Sequence, residues 1–394
     1  MVTLSTANNA LKEVYLGVLS NQLNTTINPL LARINQTSSD VWGKEIRKIA
    51  PYGINGGIGA GTETGDLPSS AENNYEQFVL SLKNLYGKLE ISDKAIRASE
   101  HSTGAFVNLL TAEMEGLIKA SAFNFGRMLY GDGTGKLATI TDNDTNNVVV
   151  DSTKNLIEGM VVDILSADGT SVKSTLRITA INKATNTVTL STSALTKNAY
   201  AGKGNILCVQ GSYKNEITGL GAIFNDAGDL YGLDRANHNW LIPYMKDISS
   251  GSQTQNITDI VIQNAIDDME ESADSKVDFI VCSSGVKRNY QSYLASYRSN
   301  VNILELEGGF KAISYNGIPL ISDRFAPANT MYLLNTSEFN LHQLCDWKWL
   351  ESEDGRVIRQ TLGKPTYQAT LVKYADIICN KPRGQARITG ITES

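Results

Sequence analysis

The sequence predicts an α+β fold carrying a small all-β insertion. Three observations predict it. Residues 104–130 repeat apolar side chains near every third or fourth position. Residues 140–213 contain five short β-branched runs separated by turn segments. Residues 257–345 alternate helix-like and strand-like patterns, the order expected of helices packed on a central sheet.

The chain has 394 residues, enough for two or three folded units. Apolar residues make up 41% and charged residues 19%, an ordinary globular composition. No apolar run reaches the ~18 residues that span a bilayer. The opening "MVTLSTANNALKEVYLG" lacks a basic segment followed by an apolar core, so no signal peptide is expected and use in a cytoplasm is. The net charge of −6 gives no global field for nucleic acid. Cys208, Cys282, Cys345 and Cys379 are scattered without a CxxC pair, which favours buried free thiols over zinc or disulfides. His101, His238 and His342 stand in neither HExxH nor HxH spacing, so histidine-based catalysis and metal binding are not expected.

Taken in order, residues 1–50 read as an arm. Leu11, Val14, Tyr15, Val18 and Leu19 keep helical spacing. Lys12, Arg33, Lys44, Arg47 and Lys48 stand against Glu13, Asp40 and Glu45, a net of +2 in an acidic chain. Residues 51–75, "PYGINGGIGAGTETGDLPSSAENNY", are rich in Gly, Ser, Thr and Asn and cannot bury enough surface to fold alone. They predict a long projecting loop. Phe78, Leu80 and Leu82, then Leu85, Leu89 and Ile91, read as strands returning from it. Ser102 or Thr103 is the candidate N-cap of the long helix, whose apolar positions include Phe106, Leu109, Leu110, Met114, Leu117, Ile118, Phe123 and Met128. The five runs "NNVVVD", "GMVVDIL", "STLRITAI", "NTVTLSTS" and "GNILCVQ" predict a small antiparallel barrel or sandwich, with six acids and six bases in 140–213. Beyond it, "ITDIVIQNAIDDMEESADS" and "SGVKRNYQSYLASYRSN" read as helices and "VDFIVCS" as a buried strand between them. "FKAISYNGIPLISD", "TMYLLNTSEFNLHQL" and most of the tail read as strands.

Several stretches imitate active sites. "GDGTGK" at 131–136 does not match GxxxxGK[ST]: Tyr130 stands five positions before Gly135, and Leu137 occupies the Ser/Thr position. It also follows a helix, whereas a phosphate loop precedes one. Its plain reading is a helix cap at Gly131 and a flexible exit. "GGIGAG" at 56–61 lacks the third glycine of GxGxxG. Asp267, Asp268, Glu270, Glu271 and Asp274 lack the alternate spacing and glycine turn of a calcium loop and read as a solvated helix face. Trp347 and Trp349, on one face of a strand, have the form of a stacking platform for a sugar or base, but read as core or interface packing. Ser283 and Ser284 follow a strand without GxSxG and read as a helix cap. No catalytic, cofactor-binding or metal-binding residues are assigned, and no enzyme activity is expected.

The order of parts, and four stretches, resemble the major capsid proteins of tailed bacteriophages with the Hong Kong 97 fold. The stretches are "NTTINPLLARI" with "VWGKEIRKIAPYGINGGIGAG", then "NLYGKLEISDKAIRAS", "FNFGRMLYGDGTGKLATI" and "NGIPLISDRFAPANTMYLLN". The resemblance implies an N-terminal arm at 1–54, an extended loop at 55–98, and a spine helix with peripheral-domain surroundings at 99–139. It implies further peripheral domain at 214–256, an axial domain at 257–345 and a peripheral return at 346–394. Residues 140–213 depart from the minimal pattern and look like the inserted β-domain of some members. The glycines at 131–135 would then release the chain toward that insertion.

The same resemblance implies self-assembly into hexamers and pentamers of an icosahedral head enclosing double-stranded DNA. Portal, scaffold and decoration proteins would be partners, contact with packaged DNA would be non-specific, and no membrane or cofactor would be involved. The place would be the virion capsid, assembled in the bacterial host cytoplasm. Scaffolding would be separate or already removed. Some members join subunits by a Lys–Asn isopeptide bond; Lys83 and Lys88 lie near the loop, but no matching acid and asparagine is legible, so no cross-link is expected. The alternatives are an encapsulin-like compartment with protein cargo, an enzyme built on 257–345, and a secreted adhesin built on 140–213.

Overall fold

The long helical pattern becomes a helix at Thr103–Met128, 26 residues and about 39 Å at ~1.5 Å per residue. Met114, Ile118, Phe123, Phe125 and Met128 are buried along it. The computed structural model describes residues 28–94, 103–192, 195–296, 303–305, 311–351 and 355–394. The helical pattern at 11–19, the candidate cap Ser102 and the side chains of Phe106, Leu109 and Leu110 lie outside what it describes.

This spine helix packs on a five-stranded sheet. Its two long central strands, Phe339–Trp349 and Thr366–Cys379, pair antiparallel. Lys83–Ser92 adds to the second of them over ten residues, from Lys83 opposite Ala375 to Ser92 opposite Thr366. Asn35–Thr37 lies parallel to Asn340–His342 at the other side. Leu30, Leu31 and Ile34 are buried in the same core. Residues 28–37 are thus docked, and the arm read from the sequence is fixed here by apolar burial.

The projecting hairpin is formed by Glu45–Tyr52 and Asn74–Ser81, paired from Glu45 opposite Ser81 to Tyr52 opposite Asn74. A boundary at residue 54 would cut this hairpin in two, because its first strand belongs to the segment read as arm. Alternation in "EIRKIAPY" buries Ile46 and Ala50 against Phe78 and leaves the opposite face outward.

The insertion is a closed barrel of six antiparallel strands: Lys136–Asn143, Asn147–Val150, Val161–Leu165, Ser171–Asn182, Thr187–Leu190 and Ile206–Val209. It has its own core, including Ile140, Val148, Val162, Ile164, Val188 and Leu207. The five runs legible in the sequence are all strands. The sixth, Lys136–Asn143, escaped notice because a register shift between Ile140 and Asp142 breaks its alternation. The turn at Gly169 folds back on the neck: its φ is +88°, and a Cβ there would meet the Tyr213 ring. Gly169→Ala is therefore expected to destabilise the barrel by ~1–3 kcal/mol. Gly202, with φ +64° and nothing within 4 Å of an added Cβ, should cost only ~1 kcal/mol on the same change. Thermal unfolding of the two variants side by side checks the difference.

A second core lies under a seven-stranded sheet ordered Tyr244–Asp247, Ala386–Thr389, Met331–Leu334, Phe279–Cys282, Ile318–Ser322, Lys311–Tyr315 and Ile303–Glu305. The helices Asp259–Ala273 and Ser284–Ser296 bury Ile262, Met269, Val286 and Tyr290 against it. This sheet reaches beyond the 257–345 segment at both ends. Tyr244–Asp247 and Ala386–Thr389 pair parallel and close its edge, so part of the tail completes this sheet instead of returning to the five-stranded one.

Candidate assembly surfaces

The hairpin presents the least self-contained surface among the described residues. Trp42, Ile49, Tyr75 and Val79 share its outward face, and Trp42 is 71% exposed. Residues 54–73 carry no strand or helix. All but Gly57 in that segment are exposed, including Ile54, Ile58 and Leu67, the last at 90%. Apolar side chains clustered in this way are normally covered by a partner. The inner face is anchored by stacking: Trp240 lies 5.2 Å from the Tyr52 ring and 5.9 Å from Phe78, centroid to centroid. The positive character of this region is partly cancelled, since Arg47 pairs with Glu45 at 2.9 Å on the surface. Lys44 is exposed and Lys48 half-buried beside it.

The glycine-rich 131–136 stretch is the neck between spine helix and barrel. It is pinned, contrary to the flexible exit read from the sequence. The Gly131 N–H donates to the Met128 carbonyl at 3.0 Å. The Thr134 N–H and hydroxyl both donate to Asp132 Oδ1, at 2.9 and 2.5 Å. The Lys214 N–H on the returning chain donates to the Thr134 carbonyl at 2.9 Å. Gly135 has φ +80°, and a Cβ there would sit 2.6 Å from the Ser212 carbonyl oxygen. The glycine lets the outgoing and incoming chains touch.

Beneath the neck lies a buried ion pair that the sequence reading missed. Arg127 Nη2 and Nη1 reach Glu216 Oε1 and Oε2 at 2.5 and 2.9 Å, with both side chains almost fully buried. The two residues stand 89 positions apart on either side of the barrel, and no local pattern announces them. Planar bidentate geometry is what makes such a pair tolerable out of water. It ties the last turn of the spine helix to the chain leaving the barrel.

Two more polar groups are enclosed close by. Lys373 is fully buried and donates to Asp346 at 2.6 Å and Gln343 at 2.8 Å, over the Phe125 ring. Burial pushes its amine down, opposed by Asp346. Asp376 is likewise buried. It accepts from the Thr218 N–H at 2.6 Å, the Thr218 hydroxyl at 3.2 Å and the Ile377 N–H at 2.8 Å. Desolvation nevertheless raises its carboxyl to about 7, from an ordinary 3.8. Because the folded value exceeds the unfolded one, its stabilising contribution is complete below about pH 4 and is lost as the pH rises through 7. Asp376→Asn should flatten that part of the stability curve. Urea unfolding between pH 4 and 8 checks this, and parallel curves for the two proteins would sink it.

The other sequence candidates fall as structural parts. Ser283 Oγ accepts from the Val286 N–H at 3.4 Å as a helix cap. Trp347 and Trp349 are each 5% exposed in the main core. Asp267, Glu270, Glu271 and Asp274 are exposed and Asp268 is half-buried. Cys208, Cys282 and Cys379 are buried free thiols and Cys345 is half-buried. Among the described residues no group of three or more His, Cys, Asp or Glu is placed to hold a metal ion. No described helix is long and apolar enough to cross a membrane.

Spine helix, docked arm, projecting hairpin and two sheets with separate cores define a class of fold, that of tailed-phage capsid proteins. Among solved structures, the chain is similar to the capsid asymmetric unit of cyanophage A-1(L). The TM-score is 0.54 at 13% identity, covering 97% of this chain and 94% of that one. Lower-scoring matches include the capsid of the myovirus XM1, with TM-score 0.46, 10% identity and coverage of 92% and 91%. Another is the SrpI encapsulin complex of Synechococcus elongatus, with TM-score 0.48, 10% identity and coverage of 97% and 96%. No family model and no curated relative matches the sequence. The Hong Kong 97 type of fold expected from the sequence is thus the observed one.

Proposed function

We propose that this chain is the major capsid protein of a phage, assembling as hexamers and pentamers into an icosahedral head that encloses double-stranded DNA. The observation that carries this reading is the match of nearly the whole chain to a cyanophage capsid chain. The exposed apolar hairpin supports it, because that surface has no cover on its own subunit. Function here is association. Each subunit repeats the same contacts around closed rings, so interfaces of modest strength add up through multivalency. The segment before Glu45 acts as the arm, and the hairpin of Glu45–Tyr52 and Asn74–Ser81 with its 54–73 connection as the extended loop; the spine helix and the five-stranded sheet act as the peripheral parts. Residues 257–345, with Tyr244–Asp247 and Ala386–Thr389 completing their sheet, form the axial unit, and 140–213 form the inserted β-domain. Portal, scaffold and decoration proteins are the partners of the assembled shell, and its place is the virion, built in the host cytoplasm.

Electron microscopy of the purified chain tests the reading directly: closed particles of uniform diameter are expected, and a monodisperse monomer under all assembly conditions would overturn it. Particles recovered from infected or induced cells should hold nuclease-protected double-stranded DNA; particles filled with protein cargo instead would favour the compartment. The unassembled chain should bind DNA weakly and without sequence preference, since its net charge is −6 and its basic arm carries only +2. A salt-resistant, sequence-selective gel shift would count against a shell.

A further inference from the structure

Asparagine precedes glycine at two places in the chain, Asn55–Gly56 and Asn316–Gly317. The two are held in opposite ways. Asn316 and Gly317 form the two-residue turn between the paired residues Tyr315 and Ile318. Both take positive φ, +47° and +85°, and the Gly317 N–H donates to Ser314 Oγ at 3.0 Å. That nitrogen is engaged, and the strands on either side fix the asparagine backbone. Asn55 and Gly56 lie in the 54–73 connection, exposed and outside any strand or helix. Neither takes a positive φ, and among the described residues no backbone acceptor engages the Gly56 N–H. A Cβ on Gly56 would meet only the Ala71 Cβ, at 3.6 Å. The Gly57 N–H donates to Asn55 Oδ1 at 2.9 Å. A donor in that place faces the oxygen on which negative charge gathers when a nucleophile attacks Cγ.

We propose that Asn55 is a self-deamidation site in the folded chain, with the Gly56 nitrogen as nucleophile and the Gly57 N–H steadying the oxyanion. The Gly56 nitrogen gives up its proton and bonds to Asn55 Cγ, closing a five-membered succinimide. The Cγ–Nδ2 bond breaks, and the side-chain nitrogen leaves as ammonia with the proton that Gly56 shed. Water then opens the ring. Attack at Cγ gives aspartate. Attack at the main-chain carbonyl carbon of residue 55 gives isoaspartate, whose backbone runs through the former side chain. One water is consumed and one ammonia released, and nothing is oxidised or reduced. Glycine at 56 leaves the attacking nitrogen uncrowded and lets the chain turn toward the side chain. The product adds a carboxylate to a segment that already carries Glu63, Asp66 and Glu72 and no lysine or arginine. Isoaspartate also lengthens the backbone by one methylene, just beyond the Tyr52–Asn74 pair that ends the hairpin ladder. This chemistry belongs to the single chain and does not depend on the shell reading.

Peptide mass spectrometry of the folded, unassembled chain, incubated in mildly alkaline buffer, reads the conversion, and chromatography separates aspartate from isoaspartate. Conversion at Asn55 is expected at least tenfold faster than at Asn316, with isoaspartate among the products. Gly56→Ala should slow it at least fivefold and leave the circular dichroism spectrum unchanged, since the loop has room for the added Cβ. Guanidinium separates geometry from sequence. Unfolding should bring Asn316 to within about threefold of Asn55, while Asn55 itself becomes no faster than in the folded chain. An Asn55 that is stable while folded, or more than threefold faster once unfolded, overturns the proposal. So does an unchanged rate in Gly56→Ala, or aspartate formed without isoaspartate, which would mean direct hydrolysis by water.

Discussion

Arg127→Met should destabilise the unassembled chain by ~3–5 kcal/mol, the cost of leaving a buried carboxylate without its cation. Methionine keeps the length of the side chain, so the lost packing is small and the effect isolates the charge. Glu216 cannot turn to water, since its side chain is 2% exposed. The double change Arg127→Met/Glu216→Leu should recover most of the loss, because a pair replaced by apolar groups of similar volume is often neutral or better. Denaturant unfolding of wild type, both singles and the double closes the cycle. A single variant within about 1 kcal/mol of wild type would show that the pair does not fasten the neck. The location matters for assembly, because the pair holds the spine helix to the chain returning from the barrel.

That pair also marks where sequence reading stops. The helix Asp259–Ala273 and the strand Phe279–Cys282 were legible because each is specified locally, by 3.6-residue spacing and by an unbroken apolar run. The same holds for five of the six barrel strands. What was not legible is long-range pairing. Nothing in "YMKD" at 244–247 says that it lies parallel to "ARIT" at 386–389. The hairpin was misdivided for a related reason. "EIRKIAPY" contains three charged residues and reads as arm until Asn74–Ser81 is placed beside it. Buried polar centres are harder still. Arg127 with Glu216, and Thr218 with Asp376, join residues 89 and 158 positions apart. Each member looks like an ordinary surface residue until the fold encloses it. The exposed loop was legible for the opposite reason: composition alone denies it a core.

Deleting residues 54–72 should abolish particle formation while leaving the subunit folded. The deletion joins Gly53 to Asn73 between the paired residues Tyr52 and Asn74. A two-residue Gly-Asn loop is among the connections that suit an antiparallel hairpin, since glycine first permits the positive φ of a type II′ turn. Shortening the connection also lowers its closure entropy, by about 1–2 kcal/mol. The removed residues bury almost nothing on their own subunit, so no compensating loss is expected. The melting temperature of the unassembled chain should hold or rise by a few degrees. Assembly should fail because the deletion takes away Ile54, Ile58 and Leu67, exposed apolar side chains with no other evident use. Light scattering and electron microscopy read the assembly, and thermal unfolding reads the subunit. Normal particles from the shortened chain would show that the hairpin tip is not a contact between subunits. Loss of the fold together with loss of particles would show that the tip serves its own subunit, against everything its exposure implies.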